Sequence, residues 1–307
     1  MHKKIDMAWG SPSFLAPYWN KVQIKTDHIK RTKNYEFGSR RPLKRLIKKL
    51  HKKANNVDLT NKHIVVGAGA SQIIFGLLCV LRDVNFYEKV TATAPHFSRF
   101  PLLADAAKLE WRRDAVYNTI QIVTNPNNPD STISDYSSCQ ILDLCYNWPQ
   151  YKEVVKYNHS IMVFSFSKAL GLANTRIGWA VIKDKIIAKK LEQWIEITTG
   201  GLSIDAQIKA EATLRYETHP FRHQNSAFTY GQEIMKERWE KINSNKDKFP
   251  FEILNRDGMF LWAKGNCPKQ ITFLNGESLG SSKDNFRLNV GCSNKHFKLF
   301  LKLFNID

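Results

Sequence analysis

The sequence is poor in cysteine and in acidic residues, and it has no long apolar run. Its five cysteines, Cys79, Cys139, Cys145, Cys267 and Cys292, are scattered and odd in number. No two have the C-x-x-C spacing of a redox pair or a zinc site, so they are expected to be reduced thiols in a cytoplasmic protein. No apolar stretch is long enough to span a membrane, and no membrane partner is expected. Met1-His2-Lys3-Lys4-Ile5-Asp6 starts basic but leads into no apolar h-region, which argues against a secretory signal. Internal repeats, low-complexity linkers, zinc fingers and RNP signatures are missing. Asp and Glu number 28 against 46 Lys and Arg, a formal net charge of +18.

The residues that are present describe a folded chain. A hydrophobic content of 43% over 307 residues is enough for a sizeable core in one or two domains, and eight tryptophans with eighteen phenylalanines argue against disorder. Much of the positive charge lies between Lys25 and Lys53. Leu43, Leu46, Ile47 and Leu50 fall at i, i+3, i+4 and i+7, which predicts an amphipathic helix with Pro42 in its first turn. Its outer face would carry Arg40, Arg41, Lys44, Arg45, Lys48, Lys49, Lys52 and Lys53. A solvated face is favoured there over a nucleic-acid patch, because charge runs alone are weak evidence. A basic field would still draw in anionic substrates and phosphorylated cofactors.

The middle of the chain alternates strand-like and helix-like segments, the pattern of an α/β domain with a mainly parallel sheet. Strands are expected over 63–66, 89–94, 120–124, 140–144, 161–166 and 179–182. Helices are expected over 71–81, 186–196 and 204–216, with a longer polar helix over about 225–241. After Phe249 the texture changes, and 251–254, 259–263 and 286–290 read as strands of a smaller α+β unit. The segment up to about Asn34 has few regular signals and is expected to pack onto that unit.

Lys168 is the most informative residue. It lies in Ser165-Phe166-Ser167-Lys168-Ala169-Leu170-Gly171, directly after the apolar run Ile161-Met162-Val163-Phe164, with Arg176 eight positions on. An amine between hydroxyls at the end of a buried strand suits a Schiff base with a phosphorylated aldehyde, its phosphate held by an arginine and a serine. Taken alone, a surface lysine would explain the segment as well. Four other segments supply the rest of such a site. Gly67-Ala68-Gly69-Ala70-Ser71-Gln72 joins a strand to a helix and would offer free N–H groups to a phosphate, or would simply turn a corner. Val123-Thr124-Asn125-Pro126-Asn127-Asn128-Pro129-Asp130 is a loop that would present the Asn128 amide to a phenolic oxygen of a bound ring. Asp143 stands among apolar residues at a strand end, where a carboxylate needs a cation such as a protonated pyridine nitrogen, a salt-bridging arginine, or an N-cap role. Tyr146, three residues on, would donate to the same ring oxygen as Asn128. Arg287 alternates with apolar neighbours in Asn285-Phe286-Arg287-Leu288-Asn289-Val290 and would grip an α-carboxylate with two parallel hydrogen bonds if it faces a cleft.

Together, in this order, the segments resemble the fold-type I family of pyridoxal-phosphate enzymes, the aspartate aminotransferase superfamily. The resemblance covers about residues 5 to 292. Within it, Ser167-Lys168 through Thr175-Arg176-Ile177-Gly178-Trp179-Ala180-Val181-Ile182-Lys183-Asp184 is similar to the branch of plant tryptophan aminotransferases and alliin lyases. Trp9-Gly10-Ser11-Pro12, Ala16-Pro17-Tyr18-Trp19, Ala94-Pro95-His96-Phe97 and the Asp143 to Tyr151 stretch point the same way.

The resemblance implies an αβα three-layer large domain over 35–220 that carries the cofactor, and a small α+β domain built from 1–34 and 221–307. It implies pyridoxal 5'-phosphate joined to Lys168, with Asp143 at the pyridine nitrogen and Asn128 and Tyr146 at the ring oxygen. Ala70, Ser71, Ser165 and Arg176 would hold the phosphate, and Phe97 would stack on the ring. Gly10, Asn128 and Arg287 would meet the substrate. Tyr35 matches a tyrosine that reaches the neighbouring subunit's phosphate, which implies a homodimer with shared sites. The chain is short for the superfamily and carries neither the cysteine-rich module nor the secretory signal of alliin lyases, which counts against a lyase and against secretion.

The expected activity is an aminotransferase acting on an L-amino acid, aromatic ones included, and a 2-oxo acid. Elimination at the β-carbon of a cysteine sulfoxide is the alternative on the same site. A basic nucleic-acid-binding relative without catalysis is the third reading, disfavoured by the intact set Asn128, Asp143, Lys168, Arg176 and Arg287. Substrate choice is expected to depend on the loops near Trp9, Tyr18 and Trp19.

Overall fold

The strand-like runs in the middle of the chain fold into a single seven-stranded sheet. The computed structural model describes residues 4–8, 10–22, 38–55, 57–220 and 226–306. Its strands are β1 (Ile5–Asp6), β2 (His63–Gly67), β3 (Lys89–Ala92), β4 (Glu110–Arg112), β5 (Thr119–Thr124), β6 (Ile141–Asp143), β7 (Ile161–Ser165), β8 (Gly178–Ile182), β9 (Phe251–Ile253), β10 (Phe260–Gly265), β11 (Ile271–Thr272), β12 (Leu274–Asn275) and β13 (Asn285–Asn289). Its helices are α1 (Ala16–Asn20), α2 (Arg41–Asn55), α3 (Ala70–Asn85), α4 (Phe100–Ala106), α5 (Phe166–Leu170), α6 (Lys185–Thr199), α7 (Ile204–Glu217), α8 (Ala227–Asn243) and α9 (Asn294–Leu303).

The large sheet runs in the order β2-β8-β7-β6-β5-β3-β4. Strands β7, β6, β5, β3 and β4 are parallel, while β8 is antiparallel to both β7 and β2. Every residue of β7 and β8 is buried, which is why both read as unbroken apolar runs rather than alternating ones. Parallel order brings the C-terminal ends of β5, β6 and β7 to one edge, where open α/β sheets bind ligands. Helix α3 packs on α6, and α2 packs on α7.

Four strands form the smaller sheet, in the antiparallel order β12-β13-β10-β9. Near the N-terminus β1 pairs in parallel with β11, and the Asn289 N–H donates to the Met7 carbonyl at 2.7 Å. In β13 the apolar Phe286 and Leu288 alternate with Asn285, Arg287 and Asn289. Phe286 packs edge-on against Phe251, and Phe251 in turn meets Phe304 at the end of α9. Alternation therefore sends Arg287 to the face opposite this aromatic cluster.

The amphipathic helix forms where the periodicity places it, with Leu43, Leu46, Ile47 and Leu50 buried. Part of its basic surface is used internally: Lys44 pairs with Glu192 at 2.5 Å, Arg40 with Glu211 at 2.5 Å, and Lys53 donates to the Glu217 carbonyl. Several elements go beyond the expected set, two longer helices among them. Helix α4 follows the Phe97 loop directly, and α9 carries a readable i, i+3, i+4 stripe of Phe297, Phe300 and Leu301. The expected strand over 89–94 stops at Ala92, three residues before Pro95, which has no N–H for a ladder.

A buried aromatic cluster joins α2 to the large sheet. Trp179 stacks on Phe164 at 5.8 Å between centroids and donates its indole N–H to His51 Nε2 at 3.0 Å. Burial holds the His51 imidazole at a pKa of about 3, so it accepts this bond as the neutral ring. Trp179→Ala is expected to cost about 3–5 kcal/mol of stability through the cavity left and the orphaned His51 acceptor, read as a lower urea midpoint.

Candidate active site

The edge formed by β5, β6 and β7 opens into a cavity of about 490 Å³. Lys168 enters it from α5, the single-turn helix that begins directly after β7 and ends at Gly171, whose φ of 73° halts the helix in the left-handed region. The backbone under Lys168 is pinned from below: Tyr151 Oη donates to the Lys168 carbonyl at 2.8 Å, and Gln150 Nε2 donates to the Ala169 carbonyl at 2.9 Å. The Lys168 ammonium donates to the Gly10 carbonyl, which the N-terminal segment brings across the cavity. Enclosure by protein lowers the Lys168 pKa to about 8, with Arg287 and Arg176 pushing the same way and Cys145 and Asp143 opposing.

Asp143 ends β6 and is buried, at 4% exposure. Its Oδ1 accepts the Cys145 N–H at 3.0 Å. Burial raises its pKa, and the Cys145 donors and the Lys168 charge only partly offset this. Tyr146 follows on the same loop, its hydroxyl within 3.4 Å of the Asn128 amide nitrogen. Burial raises its pKa well above the usual phenol value, so the hydroxyl stays protonated and able to donate.

Asn128 is presented by a loop tied in place by its own asparagines. Asn125 exchanges two hydrogen bonds with the Ser134 backbone, at 2.9 and 3.0 Å, and Asn127 donates to the Pro95 carbonyl at 2.8 Å. The Asn128 Oδ1 accepts from Arg287 Nη1 at 2.7 Å. Arg287 also donates from Nη2 to the Ala8 carbonyl at 2.8 Å and lies 4.0 Å over the Phe260 ring. Its Nε is buried and has no acceptor among the described residues.

A second cationic corner is made by the turn before α3. Arg176 sits in the left-handed region at φ 53°, an unfavourable conformation for a side chain that large, and donates to the Ala173 carbonyl at 3.0 Å and the Ala68 carbonyl at 3.2 Å. A Cβ at Gly69 would lie 2.6 Å from Arg176 Nη2, so only glycine leaves room for the guanidinium along the turn. At Gly178 a Cβ would lie 2.5 Å from the Ala70 nitrogen, which is how β8 can run against the start of α3. Ala70, Ser71 and Ser165 line the cavity here, as Phe97 does.

Eleven of the twelve expected site residues thus line one cavity: Gly10, Ala70, Ser71, Phe97, Asn128, Asp143, Tyr146, Ser165, Lys168, Arg176 and Arg287. Tyr35 and Trp9 lie outside the described residues. Tyr18 and Trp19 are not among the residues that line the cavity: Tyr18 donates to Glu217 at 2.6 Å, and the Trp19 indole donates to the Leu170 carbonyl at the end of α5 at 2.7 Å. Arg99, Cys145 and Leu274 line the cavity without having been singled out in the sequence. Arg99 was within reach of pattern reading, two residues after Phe97. The roles of the Ala8 and Gly10 carbonyls were not, because a main-chain acceptor carries no residue signature.

The allinase family model matches residues 5–252. The chain belongs to the allinase family. Allinases and aspartate aminotransferase-like proteins depend on pyridoxal phosphate. Tryptophan aminotransferase-related protein 2 of Oryza sativa subsp. japonica is 32% identical over 66% of this chain and 46% of its own length. Alliin lyase of Allium cepa var. aggregatum is 30% identical over 79% of the chain and 62% of its own length. The chain thus spans about half to three-fifths of the length of these relatives. A Thermus thermophilus aspartate aminotransferase double mutant superposes with a TM-score of 0.78 at 14% identity, covering 98% of this chain and 91% of that one, which shows the shared fold. Among the described residues no helix is long and apolar enough to cross a membrane.

The residues present fit pyridoxal phosphate. A buried carboxylate with a raised pKa needs a cationic partner, and a guanidinium beside a helix start suits a phosphate. Without the cofactor, the enclosed lysine opposes folding. Between about pH 8 and 10.5 the unfolded chain holds this proton and the folded chain does not, so stability rises with pH across that window. Lys168→Met is therefore expected to be more stable than the wild type at pH 7, by up to about 3 kcal/mol, with the difference shrinking toward pH 10.5. Urea unfolding of the cofactor-free proteins at both pH values measures it.

Proposed function

We propose that this protein is a pyridoxal-phosphate-dependent aminotransferase that moves an amino group from an L-amino acid, aromatic ones included, to a 2-oxo acid. The observation that carries this reading is the meeting of Lys168, Asp143, Arg176 and Arg287 on one cavity. When bound, the cofactor supplies a heteroaromatic ring that draws electrons from the α-carbon of an attached amino acid.

The chain's own residues divide the remaining work. Arg176, Ser71, Ser165 and the N–H groups at the start of α3 would hold the phosphate. Asp143 would keep a proton on the ring nitrogen, and that cation would in turn keep the buried carboxylate ionised. Asn128 and Tyr146 would donate to the ring oxygen, with Phe97 packed against the ring. Arg287 would take the substrate's α-carboxylate in a two-pronged grip, with its orphaned Nε among the donors. Lys168 would be the attachment point and, once released, would carry the proton taken from the substrate's α-carbon; in the free protein burial already lowers its pKa to about 8, which favours the neutral amine that this role needs.

The domain division at 35–220 against the two chain ends belongs to this reading, as does a homodimer in which Tyr35 reaches the partner's phosphate. Sedimentation of the cofactor-loaded protein as a monomer would remove the dimer from it. The alliin lyase relative supports a second reading, β-elimination from a cysteine sulfoxide on the same groups. Pyruvate formed from such a sulfoxide without any amino acceptor separates the two.

Borohydride treatment of the loaded protein is expected to fix the reduced cofactor on the peptide that contains Lys168, seen as a mass increase. Lys168→Ala is expected to lower oxo-acid formation from an amino acid and an oxo-acid acceptor by roughly 10³-fold or more. Turnover that survives Lys168→Ala overturns the reading.

A further inference from the structure

The cavity carries one more cation than the reaction described above uses. Among the described residues four cationic ones line it, Arg99, Arg176, Lys168 and Arg287, against the single carboxylate of Asp143. Arg176 and Arg287 each donate twice to protein acceptors, and Lys168 donates to Gly10. The Arg99 side chain has no hydrogen-bond or ion-pair partner among the described residues. With Arg176 given to a phosphate and Arg287 to an α-carboxylate, Arg99, an exposed residue on the cavity's lining, is left with no counter-charge among the described residues.

The backbone that carries Arg99 is held on several sides. The Pro95 carbonyl accepts from Asn127 at 2.8 Å, the His96 N–H donates to the Leu279 carbonyl at 2.9 Å, and the Arg99 carbonyl accepts from Leu103 at 2.9 Å as α4 begins. The guanidinium therefore hangs from a fixed loop, the arrangement a specific anion contact needs. Phe97 from the same loop, with Ile74 from α3 and Leu274 from β12, gives this cavity part of an apolar lining. An arginine beside apolar wall matches a ligand with a short hydrocarbon span ending in a planar anion.

We infer that Arg99 is a specificity-determining residue that recognises a second carboxylate, so that the 2-oxo acid used by this site is a dicarboxylate. The inference rests on the aminotransferase reading for the word substrate. The binding it asserts can be measured without turnover.

The experiment uses protein loaded with pyridoxal phosphate and compares calorimetric binding of glutarate with that of pentanoate, which has the same chain length and one carboxylate. Glutarate is expected to bind roughly tenfold more tightly, as a charge-assisted pair warrants. In Arg99→Gln the ratio is expected to fall to near one, and Arg99→Lys to keep part of it, since a lysine retains the charge but loses the planar fork. In kinetics the same variant is expected to raise the KM for 2-oxoglutarate relative to that for pyruvate. Equal binding of the two acids by the wild type, or a ratio that Arg99→Gln leaves as it was, overturns the inference. So does a tenfold loss of pyridoxal phosphate affinity in Arg99→Gln, because Arg99 would then serve the phosphate. An absence of turnover with either oxo acid, beside an intact glutarate preference, refutes the aminotransferase reading and supports the anion site.

Discussion

A carboxylate buried at the end of a three-residue strand is the constraint on which the rest of the site depends. Strand β6 is paired on both sides, Asp143 standing opposite Thr124 of β5 and Val163 of β7. It cannot slip by one residue without turning Asp143 to the other face of the sheet. A carboxylate taken out of water costs several kcal/mol unless something compensates, and the Cys145 N–H and a nearby lysine compensate only in part, as the raised pKa records. Parallel order then decides what surrounds it: the chain leaving β5 carries Asn128, and the chain leaving β7 carries Lys168. The cavity is cationic around a carboxylate that cannot move.

The two ends of the chain complete what the large sheet begins. Lys168 donates to a carbonyl of the N-terminal segment, and Arg287 of β13 donates to another carbonyl from the same segment. These contacts span 158 and 279 positions of sequence. The β1–β11 pairing and the Asn289 to Met7 bond hold that segment against the smaller sheet, so strand pairing far from the cavity sets the position of its acceptors. Loss of those pairings would take the Gly10 carbonyl from Lys168 and the Ala8 carbonyl from Arg287 at once, and a lost acceptor is costly for a cation inside a protein.

What was legible in the sequence follows from which signals are local. Strands β5 to β8 were readable because strands buried on both faces are short apolar runs, whether parallel like β5 to β7 or antiparallel like β8. Lys168 was readable because the run before it ends in hydroxyls rather than in a charged loop. Arg287 was readable through alternation, since Phe286 and Leu288 had to face the aromatic cluster. Arg99 was passed over because one arginine beside an aromatic residue has no periodicity. The contacts of Tyr18 and Trp19 with Glu217 and Leu170 span 199 and 151 positions and have no local trace. The stack of Phe260 under Arg287 depends on strand pairing across 27 positions and has no local trace.

The positive charge of the chain divides into parts with different physical meanings. On α2 it is a solvated face with some structural ties: Lys44 and Arg40 reach glutamates on α6 and α7, and Lys53 caps a carbonyl. The half-exposed Lys44–Glu192 pair contributes little by itself, while Arg40 and Glu211 are largely buried. Inside the cavity the same sign has a larger effect, because low-dielectric walls screen it less and the groups cannot turn away. The lowered pKa values of Lys168 and Arg287, both caused first by burial, show that this cluster is held at a cost in the free protein. A phosphate, a carboxylate or both would relieve that cost. Anion binding and the stability of this part of the fold are therefore one energetic quantity, and a ligand that supplies two negative groups relieves more of it than a ligand that supplies one.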